Sequence, residues 1–252
     1  MNMKLTVYDT AAAAGQAAAE AAAVILRDAI QKKGHAVFVA ATGNSQVEFL
    51  KHLAAAPGIE WGRTTMFHLD EYIGLSAEHP ASFRRYLRER LTSQVSIGTV
   101  CFVEGDAPDI VAELDRLNRT IAAVPIDAAF VGIGENGHLA FNDPPADFAV
   151  ETPFIRVTLD EACRRQQFGE GWFKTLEDVP REAISMTVRQ IMKAAHIICT
   201  VPEKRKAQAV KACLEGEIGP LCPASILRTH PSCRLFLDKD SVSLLKPATL
   251  SA

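Results

Sequence analysis

The 252-residue chain predicts an α/β fold: a single doubly wound, mostly parallel sheet with helices on both faces. Two observations carry this. Apolar runs of strand length alternate with helix-length segments along the chain. The polar, glycine-bearing strings follow the apolar runs, where open α/β sheets place their ligands. No repeat, linker or charge run divides the chain, so residues 1–252 are expected to form one domain.

Taken in order, residues 11–33 read as a long alanine-rich helix, with Asp9 or Thr10 as N-cap and Gly34 as the stop. The alanines imply close packing. Residues 35–41 form a strand, 42–45 a tight loop and 46–55 a helix. Residues 64–69 form a strand ending in Asp70-Glu71, followed by a helix over 82–91, a short strand over 100–103, a helix over 108–124 and a strand over 127–133. Then come a strand near 154–158, a helix near 187–193, a strand over 196–201, a helix over 203–214 and a last strand over 234–237. Residues 74–81, 142–150, 166–181 and 216–224 are read as irregular. The layout is Rossmann-like.

Composition narrows the function classes. Hydrophobic residues at 48% and charged residues at 23% fit an ordinary globule and exclude a disordered chain. A net charge of −3 and a pI near 6.2 leave no electrostatic footprint for nucleic acid or anionic lipid, so an anionic ligand must be met locally. The apolar stretch 11–26 is broken by Gln16 and Glu20, which argues against a membrane span. The opening MNMKLTVYDT lacks the apolar run of a signal peptide, so a cytoplasmic location is expected, with neither membrane nor nucleic acid as partner. Six cysteines without a CxxC pair point to reduced thiols, and Cys101 and Cys199 read as core residues. Seven histidines without HxH or HExxH spacing predict no metal site.

Three strings carry chemistry. Thr42-Gly43-Asn44-Ser45 lies between a strand and a helix, where backbone N–H groups can hold a phosphate; a plain turn capped by Ser45 is the other reading. Asp70 and Glu71 follow an apolar strand. Successive strand side chains alternate, so one carboxylate should face the crevice, where partial desolvation would make it a general base; Asp70 as a helix cap is the alternative. Gly132-Ile-Gly134-Glu-Asn-Gly137 matches GxGxxG, with Asp160 about 20 residues on, as in dinucleotide folds. That fingerprint needs the third glycine to open a helix, which Pro144-Pro145 forbid, so no nucleotide cofactor is expected. His138 emerges from this turn with Asn136 and Asp143 available to orient it, which is the arrangement of an acid–base imidazole.

HLDEYIGLSAEHPASFRRYL, GIGENGHLAFNDP, EKRKAQAVKACLEG and PASIL, in that order, resemble the glucosamine-6-phosphate deaminase (isomerase) family across the whole chain. The resemblance implies ring opening and C2-to-C1 proton transfer on a small-molecule sugar phosphate, giving fructose 6-phosphate and ammonia. It implies Asp70 as the transferring base, and His138 as the ring opener, supported by Asp143 and Asn136. It further implies Thr42, Gly43, Asn44, Ser45 and Lys206 at the phosphate, Glu71 and Gly137 among substrate contacts, no cofactor, and a homo-oligomer. Related 6-phosphogluconolactonases typically continue after the histidine with a pattern like TASLFP, where this chain has LAFNDP. A galactosamine-6-phosphate deaminase and a non-catalytic sugar-phosphate-binding module are the other readings the resemblance admits.

Three positions depart from the family pattern. Asn136 stands where many members carry an acid. Asp143 replaces the usual Glu; one C–C bond shorter, it is expected to need a water or a loop shift to orient His138. Gly171 falls near the arginine of a lid-like segment at 160–180, for which Arg164, Arg165 or Lys174 are the local substitutes.

Overall fold

The computed structural model describes residues 3–169 and 171–250; of the expected lid-like segment, position 170 lies outside them. In chain order the elements are β1 (Lys4–Tyr8), α1 (Ala11–Lys33), β2 (Ala36–Ala40), α2 (Val47–Ala54), β3 (Thr64–His68), β4 (Asp70–Tyr72), α3 (Phe83–Leu87), β5 (Thr99–Cys101) and α4 (Ile110–Ala122). They continue as β6 (Ala128–Val131), β7 (Phe154–Thr158), α5 (Glu161–Gly169), β8 (Glu182–Met186), α6 (Val188–Ile191), β9 (His196–Val201), α7 (Ala207–Glu215), β10 (Cys233–Asp238) and α8 (Pro247–Leu250).

Seven strands form a wholly parallel sheet in the order β1-β10-β9-β6-β2-β3-β5. From β2 the chain winds outward through β3 to β5, and from β6 it winds the other way through β9 to β10. The direction therefore reverses between neighbours β2 and β6, and the loops leaving their carboxyl ends part to leave a crevice. Those loops are Thr42–Ser45 and Gly132–His138.

Alternation along each strand builds two cores. Phe38, Ala40, Met66, Phe130 and Phe236 face α1 and α2, whose Ala18, Ala22, Leu26, Phe49 and Leu53 are buried there. Val37, Val39, Phe67 and Val131 face the opposite layer, where Leu117 of α4 and Val210 of α7 pack. Thr10 caps α1 by accepting from the Ala13 amide, and Gly34 ends it in the left-handed region at φ 78°.

The doubly wound sheet is as expected, but a second one accompanies it. β4, β8 and β7 form a three-stranded antiparallel sheet in which Asp70 pairs with Ser185. Asp70 and Glu71 are thus not the tail of β3. Leu69 breaks from the parallel ladder, its N–H still bound to Ala40 and its carbonyl taking the Met186 N–H, and the chain re-enters pairing on β8. The strands β1 and β8 are not among those expected from the sequence, and the 166–181 region read as irregular begins with the last turn of α5. A third cluster, including Tyr72, Phe141, Leu159, Cys163 and Phe173, packs this small sheet against α5.

Candidate active site

A crevice opens at the switch point. Its floor is the Thr42–Ser45 loop, whose shape is set by side chains from elsewhere. The Gly43 carbonyl accepts from the Gln46 N–H at 3.0 Å and from the Tyr86 hydroxyl at 2.8 Å. The Gln46 side chain, 1% exposed, donates to the Val131 carbonyl and to Thr200 Oγ1 at 2.8 Å, fastening the loop across β6 and β9. All four loop residues line the crevice.

Asp70 lines it from the small sheet and is 6% exposed. Burial, reinforced by the nearby charge of Glu71, pushes its carboxyl well above the ordinary range. Glu71 points the other way, as strand alternation requires. It is fully buried and accepts from Ser82 Oγ and the Arg84 N–H, each at 2.8 Å, and from the N–H groups of Tyr72 and Phe83. Arg84 closes the cluster, 3.5 Å from Glu71 and 2.7 Å from Asp106. Glu71, expected among the substrate contacts, does not line the crevice; its carboxylate turns into the fold and organises the segment that carries Ser82 and α3.

His138 reaches the crevice from the glycine-rich turn. Its Nδ1 lies 3.0 Å from Asp143 Oδ1, which also accepts from Asn136 Nδ2 at 2.8 Å. The Asn136 Oδ1 in turn accepts the His138 N–H at 3.1 Å. The shorter carboxylate thus reaches the imidazole directly, with no need of the intervening water or loop shift expected from its length. Burial would raise the Asp143 pKa, but hydrogen bonds from His138, Cys163 and Asn136 and the attraction of His138 outweigh it and hold it at about 2. An ionised Asp143 requires a proton on Nδ1, which leaves Nε2 as the ring nitrogen available for proton exchange.

Asn136 and Gly137 do not themselves line the crevice. Gly137 turns the chain at φ 87°, and its carbonyl accepts from the Ala224 N–H. Gly134 admits the imidazole, because a Cβ there would lie 2.3 Å from the ring.

Lys206, 6% exposed, lines the crevice at the end of the one-turn helix Lys204–Lys206. The residue before that turn, Glu203, holds φ 81°, and its N–H donates to both carboxylate oxygens of Asp238.

The lid substitutes are elsewhere. Arg164 is spent on the carbonyls of Val179 and Leu176, Arg165 pairs with Glu161 on the outer face of α5, and neither they nor Lys174 line the crevice. That segment contributes Gln166, Gln167 and Trp172 instead, with Gln167 accepting the Tyr72 hydroxyl at 2.7 Å. Among the described residues the cations that do line it besides Lys206 are Arg85, Arg90 and Arg205, none of them expected from the sequence. Arg205 adjoins Lys206, which was the signal available.

Among the described residues no cluster of His, Cys, Asp or Glu could hold a metal ion, and no helix is long and apolar enough to cross a membrane. All six cysteines are free and buried.

A buried carboxylate, a carboxylate-oriented imidazole and a cationic wall around one switch-point crevice define an acid–base enzyme of the parallel α/β class. The family model for glucosamine-6-phosphate isomerases/6-phosphogluconolactonase matches residues 9–235, and the chain belongs to that family. A glucosamine-6-phosphate deaminase of Pseudarthrobacter chlorophenolicus is 35% identical, over 98% of this chain and 94% of its own length. One of Bacillus cytotoxicus is 33% identical, over 91% and 86%. Among solved structures, a monomeric glucosamine-6-phosphate deaminase superposes with a TM-score of 0.86 at 30% identity, covering 96% of this chain and all of its own. The 6-phosphogluconolactonase of Thermotoga maritima has a TM-score of 0.77 at 19% identity, covering 94% of this chain and all of its own, a likeness of fold alone.

Proposed function

We propose that the chain converts glucosamine 6-phosphate and water to fructose 6-phosphate and ammonia. The observation that carries this reading is the placement of Asp70 and His138 in one crevice with the Thr42–Ser45 loop and Lys206. The phosphate would rest on the loop and Lys206, leaving the sugar ring between the two acid–base groups.

In this reading His138 Nε2 takes the proton of the C1 hydroxyl and returns it to the ring oxygen as the C1–O5 bond breaks. An imidazole nitrogen whose ring partner is held by Asp143 suits that exchange. Asp70 then takes the C2 proton while the C1 carbonyl oxygen takes one from water, giving an enolamine, and Asp70 delivers its proton to C1, leaving an iminium at C2. Water adds at C2 and ammonia leaves, which balances the reaction. One buried carboxylate suits both transfers because C1 and C2 are adjacent and burial makes its ionised form a stronger base.

Ammonia and ketose 6-phosphate release from glucosamine 6-phosphate and galactosamine 6-phosphate, beside lactone hydrolysis with 6-phosphogluconolactone, tests the reading. Both products from the gluco sugar support it. Both from the galacto sugar alone move the substrate; lactone hydrolysis alone overturns the reaction. The same reading places the enzyme in the cytoplasm. Light scattering addresses assembly: a mass near 27.3 kDa matches the monomeric relative, and a multiple matches the homo-oligomer implied by the resemblance.

A further inference from the structure

The three arginines that line the crevice differ in what already occupies them. Arg85 Nε bonds Glu89 at 2.7 Å and its Nη1 the Glu78 carbonyl at 2.8 Å. Arg205 sits between Glu203 at 2.6 Å and Glu135 at 3.1 Å. Arg90 lies 4.5 Å over the ring of Tyr86, one helical turn earlier, and its buried Nε has no hydrogen-bond partner among the described residues. Buried donors without partners are rare in native proteins and ask for an acceptor.

The surroundings of Arg90 indicate which acceptor. Tyr86, the ring beneath it, donates its hydroxyl to the Gly43 carbonyl at 2.8 Å, so Arg90 is braced against the Thr42–Ser45 loop. The backbone there is a π-helical turn over Arg88–Thr92, closed by the Ser93 N–H on the Arg88 carbonyl at 3.0 Å. Single π turns are uncommon and concentrate at functional sites. A guanidinium stacked on a ring keeps its edge available and loses little freedom on binding, which suits a phosphate dianion.

We propose that Arg90 is a phosphate-binding residue of this crevice, supplying the planar guanidinium that the 160–180 segment does not bring. The assignment rests on the sugar-phosphate reading above. Lys206 contributes a point charge, whereas Arg90 contributes two parallel N–H donors that fit two phosphate oxygens.

The test is calorimetric titration of the full chain with inorganic phosphate, beside KM and kcat for glucosamine 6-phosphate. Arg90→Met is expected to weaken phosphate binding and raise KM by roughly 10- to 100-fold, the range of one lost charge-assisted contact, with kcat within about threefold. Arg90→Lys keeps the charge without the fork and should lose about fivefold in both. Phosphate affinity and KM unchanged in Arg90→Met would overturn the proposal; if that variant does not fold, unchanged values in Arg90→Lys do so. A wild type silent towards both amino-sugar phosphates, but losing phosphate affinity on Arg90→Met, would sink the proposed reaction and leave the role of Arg90 standing.

Discussion

Asp143 Oδ1 lies 3.0 Å from His138 Nδ1 and engages that nitrogen of an imidazole that lines the crevice. The same oxygen is shared with Asn136, so three side chains of one turn hold a single ring orientation.

Asp143→Asn is expected to lower kcat by roughly 10²–10⁴ on the ring-closed sugar, because an amide can present its N–H to Nδ1 and favour the wrong tautomer. An acyclic amino-polyol phosphate aldehyde should be spared much of that loss. Equal slowing on both substrates would remove ring opening from the task of His138.

The depressed Asp143 carboxyl also makes a stability prediction. Its folded pKa of about 2 is below the ordinary 3.8, so the ionised form is favoured by folding. That contribution, about 2 kcal/mol, is present above pH 4 and fades as pH falls towards 2. Urea unfolding of wild type and Asp143→Asn should differ at pH 6 and converge at pH 2.

Asp70 behaves in the opposite sense. Its pKa is raised on folding, so stability is lost as pH climbs from the unfolded value of 3.8 through the folded one. Asp70→Asn should therefore abolish turnover by at least ~100-fold while raising the melting temperature at pH 7, with the gain shrinking near pH 4. A variant that is inactive and also less stable at pH 7 would contradict the desolvated-base assignment.

Glu71→Ala should destabilise the fold by about 3 kcal/mol, since it leaves the Ser82 hydroxyl and the amides of Tyr72, Phe83 and Arg84 without their acceptor in a buried setting. Per folded molecule, KM should stay within about twofold. A selective rise in KM with an unchanged urea midpoint would return Glu71 to the substrate.

Gly134→Ala places a Cβ 2.3 Å from the His138 ring and must displace it. A loss of roughly 100-fold in kcat is expected, with phosphate affinity kept because the Thr42–Ser45 loop is untouched. Lys206→Met reverses that pattern: KM for the phosphorylated sugar should rise about tenfold or more while kcat changes little.

Local chemistry made much of this legible in the amino-acid order. Strand-and-helix alternation predicted the doubly wound sheet, since each apolar run needs cover on both faces. Asp9 or Thr10, of which Thr10 is the cap, and Gly34 marked the ends of α1 through requirements that are themselves local: a side-chain acceptor for a free amide, and a positive φ. His138, Asn136 and Asp143 lie within eight consecutive residues, so their convergence needed only a glycine turn. Tertiary structure alone decided which of Asp70 and Glu71 faces the crevice, because that depends on pairing with β8, more than a hundred residues later. It also decided that the cations of the crevice come from α3, the π turn after it and the turn before α7 rather than from the 160–180 segment. Those groups meet only through the order of strands in the sheet, and strand order is set by the burial of both faces at once, which no single stretch of sequence encodes.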